Sequence, residues 1–441
     1  MDDLNLRISH ESAESGMAFS QETSHTGQHS LSGILWQPGT RLWMCGISQS
    51  EDLFSIHLEI LKSLADAYAR QGFQVTFVHE KLDRDAFRYR LQNSLAQSKP
   101  DVILLLNAYP RNFLQRIFDA SDAAECFQPS RLVWLTDDIR HSPGSECGFS
   151  ERDVVFCVDR TYVDTVKSEG AGFACHIPSA TCVPQHGEYR SEYAHPIAFV
   201  GSVTDLRAEL SNLRPESKEW LQGAVSATIR HEPLPGMAQL ESNCQANLLA
   251  VAETICLHMA KPYLEGQQAL AYALYVLANT YKRVAVVKDL IPMGLAVYGN
   301  KDWECLLGEN ERCAYRGPVA YQDLPDLYAS ANISLNIHSL QCPTCLNPRD
   351  FDVPMAGGFL LSDWVQDAEA GYLVDGSEGV FYRSTPHLKE LIAYYLENQE
   401  LRDRVAEAGH RRVSRDHRYI NRVCASLDVL RSGYSLPRSK G

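Results

Sequence analysis

The chain contains no run of about 18 consecutive apolar residues, so a membrane-spanning helix is not expected. Its first thirty residues carry no apolar core of the kind a secretory leader needs, and the expected compartment is the cytoplasm. Basic residues are not in excess: 41 Lys and Arg against 55 Asp and Glu give a net charge of −14. That balance argues against nucleic acid or an anionic membrane as the main partner. No GxGxxG follows a strand pattern, and there is no P-loop and no HExxH, so dinucleotide oxidoreductases, NTPases and metallopeptidases lack support. No repeat of solenoid period is present. Cysteine is not scarce, at 13 residues, but the number is odd and many lie in apolar runs such as 155–158 and 253–257. They read as reduced core residues rather than a disulfide frame. Cys342-Pro-Thr-Cys345 has metal or redox spacing, yet no second CxxC exists to complete a four-ligand zinc site.

What is present is enough for two domains: 441 residues, 45% hydrophobic. Residues 1–33 are polar and read as a disordered tail. Apolar strands follow at 42–45, 73–78, 101–106, 132–135 and 154–158, alternating with helical patterns at 53–70 and 162–170. Strands apolar on both faces and separated by helices imply a covered parallel sheet. Pro184 and Gly187 mark an interdomain linker at 178–193. A second α/β half then opens with a strand at 197–200, is interrupted by a helical stretch over 206–290, and resumes with strands at 295–298, 333–337 and 359–361. Helices are expected at 324–331, 386–398 and 401–409. The expected architecture is α/β: two Rossmann-like domains, 34–185 and 190–425, with a helical insertion at 208–280 and a tail at 426–441. Ligands of such sheets bind beyond the carboxyl ends of the strands, so two facing sheets define a cleft.

The stretch from His338 to Asp363 is the densest in chemistry. Gly357-Gly358 permit close backbone approach, a helix start offers NH groups for an anion, Arg349 is a bidentate donor, and Asp352 is an acceptor for a diol. Together these read as a nucleotide-diphosphate pocket; the bland reading of Arg349 and Asp352 is a local ion pair on one helical face. Gly201-Ser202 with Arg207 offers a second phosphate loop. Gly299-Asn300 and Trp303 close another strand end, where Trp303 serves either a ligand or the core. Asp137-Asp138 end a strand of the first half, and His338 ends one of the second. Either Asp138 or His338 is a candidate base for an acceptor hydroxyl, against a helix cap for the first and a structural role for the second. Two DxD triplets, Asp350-Phe-Asp352 and Asp83-Arg-Asp85, are weak metal signals.

Several segments in the same order resemble the glycosyltransferases of GT-B fold, and within them the CgeB/YkvP-like spore-protein group. They are IAFVGS (197–202) with Arg207, LAVYGNKDWE (295–304), RGPVAYQDLPDLYASANISLNIH (316–338), NPRDFDVPMAGGFLLSD (347–363) and LIAYYLENQELRDRVAEAGHRRVSRDHRY (391–419), with WLTDDIR (134–140) and FCVDRTYVDTVKSEG (156–170) in the first half. The resemblance implies a GT-B transferase taking a sugar from a nucleotide-diphosphate sugar to an acceptor held mainly by the first domain. It places Arg349 on the donor phosphate or sugar, Asp352 on the ribose hydroxyls, and Gly299, Asn300 and Trp303 beside the base. It implies no metal cofactor, because arginine and helix-end NH groups replace one. The sequence departs from the family in having Asp352 where a glutamate is usual and Thr344 where retaining relatives carry another. A non-catalytic GT-B scaffold of a spore or cell envelope is the alternative.

Overall fold

The computed structural model describes residues 36–48, 56–81, 84–107, 130–139, 148–183 and 186–433. The 1–33 tail and the side chains of the Asp83-Arg-Asp85 triplet lie outside them. Six parallel strands form the first sheet: β1 (Arg41–Ser48), β2 (Gln74–Lys81), β3 (Val102–Leu106), β4 (Ser130–Leu135), β5 (Asp153–Cys157) and β6 (Phe173–His176), in the order β2-β1-β3-β4-β5-β6. The inner strands are apolar on both faces because both faces are covered: Leu132, Val133, Trp134 and Leu135 are all fully buried. Helices α1 (Ile56–Arg70), α2 (Arg84–Ser98) and α3 (Arg160–Ser168) belong to this domain.

The second sheet has five parallel strands in the order β11-β10-β9-β7-β8, with β7 (Ile197–Val200), β8 (Leu295–Tyr298), β9 (Ser334–Asn336), β10 (Leu360–Asp363) and β11 (Val380–Tyr382). Strand order reverses between β1 and β3 in one sheet and between β7 and β9 in the other. In sheets of this kind such switch points are where ligands bind, beyond the carboxyl ends of the strands.

Between β7 and β8 stand α4 (Pro215–Ile229), α5 (Ser242–His258) and α6 (Gly266–Leu290). They close a core of their own around Trp220, Leu248, Ile255, Leu270 and Leu277. The insertion runs to residue 290 rather than 280, because α6 serves two cores. Its first half packs in the helical unit, while Val284, Val287 and Leu290 pack under the second sheet. This sharing fixes the helical unit rigidly against the strand ends.

After α7 (Leu324–Ser330) and α8 (Pro348–Met355), three helices complete the chain: α9 (Thr385–Glu397), α10 (Gln399–Asp416) and α11 (Tyr419–Gly433). Gly409, expected to stop a helix, lies inside α10, where a Cβ would collide with the Glu378 carbonyl. Nor does a tail begin at 426: α11 crosses back to the first domain, burying Val423, Leu427 and Leu430 in its core. Each such side chain stabilises by about 1.5–3 kcal/mol when fully buried. Arg422 locks the crossing, donating to the carbonyls of Pro178 and Ser179. No helix among the described residues is long and apolar enough to span a membrane.

Candidate functional site

At the carboxyl end of the second sheet, His338 stands 2.7 Å from Asp350 Oδ2 through Nε2 and 2.6 Å from Asp363 Oδ1 through Nδ1. It is 2% exposed. Burial opposes its charge, but the two carboxylates outweigh burial and push its pKa up to about 10. The ring is therefore an imidazolium with both nitrogens donating, and no lone pair remains to accept a proton. The expectation of His338 as a base is corrected on this ground. Asp363 also accepts from Lys282 Nζ at 2.6 Å, and despite its burial Lys282 and His338 hold it well below the carboxylate range. Asp350 accepts from Ser362, from Asn336 and from the backbone NH of Asn347.

That last bond is half of a capping box at the start of α8; the other half is the Asn347 side chain. Asn347 Oδ1 takes the Arg349 NH at 2.9 Å. First-turn NH groups expected to face a phosphate are thus partly spent on the helix's own caps. Arg349 donates Nη1 to Asn336 Oδ1 at 2.6 Å, while its Nε–H is buried without an acceptor among the described residues.

Asp352, expected on a ribose, is 3% exposed. Its Oδ1 accepts from Thr181 Oγ1 at 2.6 Å and the Cys182 NH at 3.3 Å, so it anchors the chain's crossover between domains. Burial pushes it up to about 7, partly offset by these bonds. A carboxyl with a raised folded pKa favours the native state when protonated. This group's contribution is complete below about pH 4 and is lost as pH rises through about 7. Asp352→Asn is therefore expected to flatten the fall in thermal midpoint across that window. An unchanged pH dependence would contradict the assignment.

Gly357 has φ +86°, and a Cβ there would strike the His186 ring; one at Gly358 would strike the Tyr328 carbonyl. The pair makes a tight turn against neighbouring backbone, which is a sufficient reason for two glycines. Gly201, Gly299, Asn300 and Trp303 are brought together as expected, but largely to hold one another. A Cβ at Gly299 would collide with the Gly201 carbonyl. Asn300 bonds both backbone groups of Val203, at 3.1 and 2.8 Å. Trp303 Nε1 donates to the Gly201 carbonyl at 2.7 Å, and its ring, with no exposed surface, packs on Phe199. Of the two readings of Trp303, ligand or core, its burial favours the core. Arg207 chelates Asp205 at 2.8 and 2.7 Å.

Two cations on α6 were not foreseen. Lys282 and Arg283 are the only charges between Ala269 and Val287 of this helix, and that interruption was the available signal. Arg283 Nη1 donates to the Ser202 carbonyl at 2.6 Å, and its Nε–H is buried without an acceptor among the described residues. Burial and the nearby positive charge of Arg349 pull its pKa down to about 10. Two guanidinium groups thus lie near one another at the ends of β7 and β9, each half-buried with its Nε–H enclosed.

Facing them from the first domain is a polar cluster at the ends of β3 and β4. His57 Nε2 lies 3.1 Å from Asp137 Oδ2, with the side chains 51% and 40% exposed. Asn107, at φ +50°, donates to Asp137 Oδ2 at 2.7 Å and accepts the backbone NH groups of Thr136 and Asp137. Burial lowers the His57 pKa, but Asp137 outweighs it and the net shift is upward. Asp138, the expected base, is 4% exposed; its neighbour Asp137 is the carboxylate that meets a histidine. The helical unit closes the third side: Lys261, Tyr272 and Tyr275 stand within the electrostatic reach of Asp137.

The loop after His338 pins the domains together. Asp159, at the end of β5, accepts the Thr344 and Cys345 NH groups at 2.9 and 3.1 Å and the Thr344 hydroxyl at 2.8 Å. Thr344 thus serves the domain seam. Arg160 adds a 3.1 Å bond to Asp367. A cavity of about 1000 Å³ lies on the other side of the crossover, between α1 and the start of α7. Its wall charges Lys62, Arg70 and Arg190 already pair with Glu59, Asp66 and Asp326, so the strand ends are the better candidate.

Residues 282–428 match the family model described as glycosyl transferase-like, a match that begins at Lys282. No curated protein matches the sequence. Solved structures with a similar chain course include sucrose-phosphate synthase from Thermosynechococcus elongatus, at 11% identity and TM-score 0.49, over 89% of this chain and 98% of that one. Anabaena HepE in complex with UDP and glucose has 11% identity and TM-score 0.46, over 88% and 99%. T4 phage β-glucosyltransferase has 8% identity and TM-score 0.46, over 89% and 99%.

Proposed function

We propose that the protein is a GT-B glycosyltransferase that moves a sugar from a nucleoside-diphosphate sugar to an acceptor hydroxyl. The observation that carries this is the pair Arg283 and Arg349. Like charges drawn together in a desolvated site are unfavourable unless an anion joins them, and each retains a buried donor without an acceptor. A diphosphate supplies the missing charge and acceptors. The glycosyl transferase-like match over 282–428 includes both arginines and the end of β9.

In this reading His57 is the base. With Nε2–H donated to Asp137, the Nδ1 lone pair takes the acceptor's hydroxyl proton. The oxygen attacks the anomeric carbon, the bond to the diphosphate breaks, and the released charge passes to Arg283 and Arg349. A base across the cleft from the leaving group makes this a single displacement with inversion. Protein cations take the part that a divalent metal takes elsewhere. The order of its motifs supports a CgeB-like reading, and its free cysteines support a cytoplasmic setting.

Transfer and hydrolysis of UDP-, GDP- and dTDP-sugars test the reading. Arg283→Ala and Arg349→Ala are each expected to weaken nucleotide binding about 10–100-fold, the worth of a charge-assisted hydrogen bond. Wild-type turnover in both variants would remove the donor site from this position. Activity abolished by EDTA would require a metal. Binding without turnover would favour the scaffold alternative.

A further inference from the structure

Glycosyl transfer makes no use of Cys342-Pro-Thr-Cys345, yet the structure sets this loop at the point where the domains are pinned. Cys345 is 1% exposed and packs within the first domain's core, with its NH on Asp159. Cys342 is half-buried, and its Sγ lies 3.2 Å from the Tyr162 hydroxyl and 3.7 Å from the carbonyl of Thr136, the residue before Asp137. The two thiols are separated by two residues in one tight loop, close enough for Cys342 to influence Cys345 electrostatically, and both are free. The chain bends at every residue from 342 to 345, the tight backbone course that a CxxC pair needs to close. Gln341 ties the loop onward, its carbonyl accepting from Tyr162 at 2.8 Å and its side chain from Tyr275 at 2.8 Å. Among the described residues no cluster of His, Cys, Asp or Glu fit to hold a metal includes them.

We propose that Cys342 and Cys345 are a redox-modification site: a dithiol at the domain seam that a low-molecular-weight disulfide oxidises, loosening the seam and slowing the transfer proposed above. Cys342 is the entry point, since it alone of the two is partly open. Its thiolate attacks the small disulfide, a mixed disulfide forms, and one thiolate leaves. Cys345 then attacks Cys342 Sγ and expels the second thiolate. The two protons of the dithiol end on the two small thiols, so the protein loses two hydrogens and the small disulfide is reduced. Cys342 thereby loses its S–H donation to Thr136, one residue from the His57 partner. Transient disulfides of this kind occur in reducing compartments. The slowing of transfer rests on the proposed activity; the oxidation itself does not.

The full-length protein treated with oxidised glutathione, then alkylated and peptide-mapped, tests the chemistry alone. A Cys342–Cys345 peptide lighter by two hydrogens, restored by dithiothreitol, is expected. Cys345→Ser should stop at a glutathione adduct on Cys342, and Cys342→Ser should leave Cys345 unmodified. The thermal midpoint of the oxidised protein should fall, and sugar transfer should drop about fivefold, the low end of coupling between sites. A pair that stays reduced while other cysteines react overturns the site. A disulfide that leaves midpoint and transfer unchanged overturns the loosening.

Discussion

His57→Ala is expected to lower the rate of sugar transfer by about 10²–10⁴-fold, the usual contribution of a positioned general base. Nucleotide affinity should hold, because the diphosphate cations stand on the other domain. The pH profile carries the sharper signature. Only neutral His57 accepts a proton, so activity should rise with pH through its folded pKa, which Asp137 places above the ordinary value near 6.5. Asp137→Asn removes the charge that raises it, and the acid limb should then move to lower pH with a reduced plateau. Were the base another group, the limb would stay in place in Asp137→Asn and His57→Ala would keep most of its rate.

His338→Ala should be the most destabilising single change. It leaves Asp350, with no exposed surface, and Asp363 without the cation between them. Breaking a buried pair costs about 3–5 kcal/mol, or a thermal midpoint lower by roughly 6–20 °C for a domain of this size. The sign with pH follows from a folded pKa raised to about 10. The unfolded value is near 6.5, so the native state holds the proton more tightly. The stabilisation is complete below about pH 6.5 and is lost as pH rises through about 10. Differential scanning fluorimetry of both proteins from pH 6 to 10 reads this: the gap between them should narrow towards alkaline pH. A constant gap would show that His338 acts by packing alone. Because Asn336 binds both Asp350 and Arg349, the variant should also lose nucleotide affinity.

Much of the fold was legible because inner strands of a covered parallel sheet are continuous apolar runs, as at Leu132–Leu135 within β4. The edges were not. β6 is a half-buried edge strand, and β11 spans three residues among turns. Helix α11 runs into the stretch 426–441 that reads as a tail, and its Arg422 locks the crossing. At the site, the stretch 338–363 stood out by its polar residues; its carboxylates hold His338, the α8 cap and the crossover. The pairing of His57 with Asp137 spans 80 residues and leaves no local pattern. The Lys282-Arg283 pair was visible as charge inside an apolar helix. Its reason, two cores sharing α6 at the strand ends, appears only in three dimensions.

The central claim is that Arg283 and Arg349 receive a nucleoside diphosphate. Calorimetric titration with UDP, GDP and dTDP measures it without knowledge of sugar or acceptor. The account predicts that one of the three binds with one-to-one stoichiometry, and that Arg283→Ala weakens it about 10–100-fold. Binding of none of them at millimolar concentration, or binding indifferent to both arginines, would contradict it.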